Sequence, residues 1–157
     1  MDNVKEETQK KSNNKSLKKV AAISLMFTLG TSAFAGDGKL FTKNANYYDI
    51  QAVNDIVAVV NYQQECLKDG SFSQEEKQKI ASMQTDYDKN YGEGAFKYVY
   101  VEMNEYSKTP AFIANAIELG EEKSKTALAH HAVRNAARQQ EIMARMDYKL
   151  SDYEYGR

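Results

Sequence analysis

YYDIQAVNDIVAVVNYQQECL, residues 47–67, decides the fold class. Ile50, Val53, Val57, Val60, Gln64 and Leu67 recur at steps of three and four, with Ile56 and Val59 widening the stripe, as the core-facing side of a helix requires. The run Ile56-Val57-Ala58-Val59-Val60 is β-branched and competes as a buried strand. No turn residues bound that run closely, and the helical period persists for about twenty residues, so length decides for helix.

Working outward toward the C-terminus, Lys68-Asp69-Gly70 is a stop signal, and Ser73-Gln74-Glu75-Glu76 is a capping box that starts a second helix. Ile80, Met83, Tyr87 and Tyr91 form its thin apolar stripe, so the two segments make a helical hairpin. Gly92-Glu93-Gly94 ends that hairpin. Over residues 95–106 a strand period (Phe96, Tyr98, Tyr100) competes with a helical one (Phe96, Val99, Tyr100, Met103, Tyr106). A lone strand leaves its backbone groups unpaired, which favours helix.

Thr109-Pro110 starts a further helical stretch reaching Leu150, about 60 Å if unbroken. Phe112, Ile113, Ala116, Ile117, Gly120, Ala127 and Leu128 share one face of such a helix, whereas Ala129, Val133, Ala136, Gln140, Met143 and Leu150 lie nearly opposite. Either the helix breaks within Gly120–Lys125, or one helix meets partners on two sides. On the second reading, the Ala-rich later half carrying Arg134, Arg138 and Arg145 is an edge for another chain, with Val133, Ala136, Gln140 and Met143 as contact residues. Its competitor packs that half back on the hairpin. Tyr148, Tyr153 and Tyr155, set among acidic residues, read as a polar tail that either recognises a partner or folds back. The chain is therefore all-α: a hairpin, further helices, and a long C-terminal helix, broken or unbroken.

Upstream, residues 1–35 have the three parts of a cleavable signal peptide in order. Six lysines lie in residues 1–19, the uncharged Val20–Gly30 follows, and Ala33-Phe34-Ala35 supplies the small residues at positions a signal peptidase recognises. Val20–Gly30 is far shorter than the roughly 20 residues of a permanent span. Residues 36–46 read as a flexible lead-in, and 47–157 as one helical domain.

Without the leader, 122 residues carry 15 basic and 19 acidic side chains, a formal net of −4, which argues against a nucleic-acid partner. Cys66 is the only cysteine, either a buried thiol or half of an intermolecular disulfide. Eleven tyrosines and no tryptophan point to half-wet surfaces.

Chemistry is sparse. His130 and His131 are adjacent on a helix and point about 100° apart, so they do not clasp one metal. Asp86, Asp88 and Asn90 echo a calcium loop, but Tyr91 stands where its turn needs Gly and Lys97 where it needs Glu. The echo ending at Glu76 lacks its first ligands, Glu65 and Leu67 standing at positions 1 and 3, and is explained by the capping box. Glu118, Glu121 and Glu122 read as a solvated face, Glu121 pairing with Lys125. No catalytic set, metal site or cofactor emerges.

The function expected is that of an exported, non-enzymatic interaction protein of the bacterial envelope, periplasmic or extracellular, that binds a protein or itself and keeps no membrane span. A periplasmic binding or weak metal-binding module is the alternative. Mass spectrometry of exported protein is expected to find Gly36 at the N-terminus, and an intact Met1 refutes the leader.

Overall fold

The computed structural model describes residues 39–42 and 47–155, with side chains as far as Asp147. The proposed leader, including Ala33 and Ala35, lies outside the described residues.

Helix α1 (Ile50–Cys66) is capped by Asp49, whose carboxylate accepts from the Gln51 N–H at 2.8 Å. A 3-10 turn, Leu67–Asp69, and Gly70 at φ 87° end it. In the capping box of α2 (Gln74–Tyr91), the Glu76 N–H donates to Ser73 Oγ at 3.2 Å and the Ser73 N–H to Glu76 Oε2 at 3.0 Å. The contested segment is helix α3 (Ala95–Ser107). Asp88 reaches forward from α2 to accept from the Phe96 N–H at 2.8 Å, which satisfies a donor in the first turn of α3. Helix α4 (Pro110–Leu119) follows Thr109, whose hydroxyl accepts from the Phe112 N–H at 3.3 Å.

Gly120 resolves the two readings of the C-terminal stretch. At φ 78° it takes a conformation other residues avoid, and the chain restarts as α5 (Glu121–Tyr155). The break resets the helical phase, so Phe112, Ile113, Ala116 and Ile117 lie on α4 while Ala127 and Leu128 fall on α5 with the second stripe. On α5 the buried positions Leu128, Ala129, Ala132, Val133, Ala136, Ala137 and Gln140 form one broad face. On α4, Phe112 and Ala116 are buried, but Ile113 and Ile117 are 40% and 53% exposed, contrary to the stripe read from spacing.

Helix α5 is central: it lies against α1 and α3, α2 packs on both of these, and α4 touches only α3 and α5. Its alanines suit that place, because small side chains let neighbouring helices approach closely. On α1 the buried set is Ala52, Val53, Ile56, Val59, Val60, Gln63 and Cys66. Ile50 lies outside, and Val57, Gln64 and Leu67 are half-buried, so the inner face runs about one position from the one inferred.

Three tyrosines correct the half-wet expectation. The rings of Tyr87, Tyr91 and Tyr100 are buried, with Tyr87 against Tyr91 and Phe96, and Phe96 against Tyr100. Their hydroxyls donate to the Ala52 carbonyl at 3.0 Å, to the Asp55 carboxylate, and to Gln63 Oε1 at 3.2 Å. Cys66 is buried and free, as the thiol reading expects.

The lead-in is also corrected at Leu40 and Phe41. Leu40 is fully buried, and Phe41 forms an antiparallel bridge with Tyr48, so the domain begins before residue 47. The Leu40 N–H donates to Gln140 Oε1 at 2.8 Å, and Gln140 Nε2 donates to the Tyr91 carbonyl at 3.0 Å. Gln140→Ala removes a buried side chain and strands both backbone groups. It is expected to cost about 2–4 kcal/mol in urea unfolding, whereas Gln139→Ala, at an exposed position, stays within about 0.5 kcal/mol.

Candidate functional site

Val133, Ala136 and Gln140, inferred from spacing as contacts for another chain, lie inside the core of their own chain. The break at Gly120 frees α5 to turn this face onto α1 and α3, which removes the reason to seek a partner for it. Met143 lies just beyond and is half-buried. Tyr148, Tyr153 and Tyr155 stand on the last turns of α5, where a tail was expected.

From residue 141 to 147 no residue of α5 is buried. Ile142 and Met146, one turn apart, are 44% and 57% exposed. From residue 141 to its end the helix runs roughly 22 Å beyond Gln140. A second apolar surface lies on α4, where Ile113, Ile117 and Leu119 face outward. Together these are the candidate interaction surface.

The polar groups that raised chemical questions are tied into the fold. Tyr48 Oη and His130 Nδ1 are 2.7 Å apart, joining the start of α1 to α5. His131 stacks on Tyr106 with ring centroids 3.6 Å apart and planes 12° from parallel, and Tyr106 also packs on Phe112 of α4. Asn135 Nδ2 lies 3.1 Å from His131 Nε2 and 3.5 Å from Glu102 Oε2. Among the described residues no three His, Cys, Asp or Glu side chains converge on a point.

Sequence reasoning missed a cleft of about 490 Å³ where the end of α1 meets the start of α5. Asn61, Gln64, Glu65, Leu67, Lys68, Glu121, Glu122 and Lys125 line it. Lys125 is buried, and its ammonium donates to Asn61 Oδ1 at 2.6 Å and Gln64 Oε1 at 3.0 Å. Its carboxylate partner is Glu122 at 2.9 Å, three positions back, in place of the inferred Glu121. These contacts use all three ammonium protons, so Lys125 acts as a tie between α1 and α5. Its spacing of four and seven positions from Ala129 and Ala132 is the signal that could have placed it on the inner face, whereas the sequence reading puts it on a solvated one. Gln63 Nε2 and Ser124 Oγ are buried side-chain atoms without a hydrogen-bond partner.

No helix among the described residues is long and apolar enough to cross a membrane. Compared with known protein families, curated proteins and solved structures, the chain matches none.

Burial and, secondarily, the charge of Arg134 lower the His131 pKa, against an opposing pull from Glu102. Its Nε2 accepts from the Asn135 amide, a bond the imidazolium cannot accept. The folded state therefore favours the neutral ring. Stability from this group is complete above the unfolded value of about 6.5 and is lost as pH falls from there through the folded pKa. Thermal melts from pH 7.5 to 5 are expected to be flatter for His131→Gln than for the parent, and equal slopes refute the linkage.

Proposed function

We propose that this chain is an exported, non-enzymatic helical interaction protein of the bacterial cell envelope, serving as an assembly, adhesion or secretion-apparatus subunit. The observation that carries the reading is the end of α5, which leaves the core at Gln140 and goes on with Ile142 and Met146 exposed. A helix that outruns its own core while keeping apolar residues has surface to give to another protein. The structural use of His130, His131, Asp88 and Lys125 supports the same reading, since it commits those groups to the fold. The basic, apolar and small-residue parts of residues 1–35 support export.

The cleft at Lys125 favours a second reading, a small binding module. A ligand for it raises the melting temperature by mass action, about 2.7 kcal/mol of added stability at a hundredfold excess over Kd.

Affinity capture from envelope fractions separates the protein-contact reading from its absence. The double variant Ile142→Asp/Met146→Asp is expected to lose at least about tenfold of the captured partner while melting like the parent, since both positions are exposed. Undiminished capture by the variant overturns the assignment of the surface.

A further inference from the structure

The three-and-four spacing along α5 does not stop at Gln140, although it passes through exposed Gln139. Ala129, Ala132 and Ala136, at steps of three and four, are buried in the protein's own interior. The same spacing runs on through Gln139 to Met143, Met146, Leu150 and Tyr153, all within the helix. A sustained three-and-four spacing is what a coiled-coil seam requires, with Met143 and Leu150 at a positions and Met146 and Tyr153 at d positions. Met146 is 57% exposed, so its own chain leaves more than half of it uncovered.

Charge beside the seam selects the occupant. In this register Lys149 is at a g position, and Asp147 and Glu154 are at e positions. Two parallel helices set each g residue near the e residue of the next heptad on its partner, which brings Lys149 to Glu154 of the other chain, twice over by symmetry. Antiparallel helices set e against e and g against g, and so oppose the two acids to each other and lysine to lysine. The flanks are thus self-complementary in the parallel arrangement and self-repelling in the other.

We infer that the partner of this end of α5 is a second copy of the same chain, paired in parallel along the seam from Met143 to Tyr153. The inference rests on the interaction-protein reading above and names its partner. Gln139 is the exposed polar step between the seam inside the fold and the seam between copies.

Sedimentation of protein purified from cells making the full 157-residue chain tests it. A concentration-dependent dimer is expected, weakened at least about tenfold by Met146→Asp/Leu150→Asp. Lys149→Glu and Glu154→Lys are each expected to weaken it by roughly 2- to 10-fold, and the double exchange to restore it, because the swap recreates the opposite-charge pairs only between parallel helices. A monomer up to roughly 1 mM, a dimer indifferent to the aspartates, or singles not rescued by the double exchange each overturn the inference. Loss of capture by Ile142→Asp/Met146→Asp from a strictly monomeric chain removes the second copy and leaves the broader reading standing. Unchanged capture from a monomer removes both.

Discussion

The buried amide of Gln140 is the contact on which the arrangement of the chain depends. One end accepts from the Leu40 N–H and the other donates to the carbonyl of Tyr91, so three segments far apart in sequence meet at one fully buried side chain. Tyr91 closes α2, where the last carbonyls have no partner within the helix, and the Gln140 amide supplies one. Leu40 is held in the core by the same side chain, and the Phe41–Tyr48 bridge carries that anchoring to Asp49 and the start of α1. An apolar residue of similar volume would fill the space and leave both backbone groups unpaired, at about 1–3 kcal/mol each.

The tyrosines follow the same logic. A buried tyrosine supplies a large apolar ring but brings a hydroxyl that must be satisfied. Tyr87, Tyr91 and Tyr100 each find an acceptor on α1: a backbone carbonyl, a carboxylate and an amide oxygen. These bonds require α1 to present Ala52, Asp55 and Gln63 toward α2 and α3, so they fix its rotation as well as its position. Burial and neighbouring negative charge push the Tyr87 and Tyr91 hydroxyls well above the ordinary tyrosine range, and burial alone does so for Tyr100. All three therefore remain donors.

Local signals were legible in the sequence where the physics is local. The capping box at Ser73, the Thr109-Pro110 start and the stop at Gly70 depend on residues a few positions apart, and each stands where its spacing puts it. The helical identity of residues 95–106 followed from the lack of a strand to pair with. Leu40 was illegible because its burial depends on Gln140, a hundred residues away. Val133 and Ala136 were assigned to the wrong contact because the phase of α5 depends on a single glycine torsion at Gly120, and periodicity counted across that point set them opposite Leu128, with which they share the core. Lys125 reads in the sequence as part of a solvated face, because a charge there looks exposed until Asn61 and Gln64 arrive from α1.

The distribution of unused groups bears on function. Proteins that act on small molecules concentrate uncommitted polar groups in a hollow, because chemistry needs donors, acceptors or charges not already satisfied. Here the buried cation, both histidines and the α2 carboxylate of Asp88 are engaged in holding helices together. Among the residues left exposed are Ile113, Ile117 and Leu119 on α4 and, past Gln140 on α5, Ile142 and Met146 beside Arg145 and Asp147. Apolar surface has no directional chemistry, but it is what one helix offers another. The same three-and-four spacing can thus serve folding before Gln140 and contact after it, with the boundary set by where α1, α2 and α3 run out.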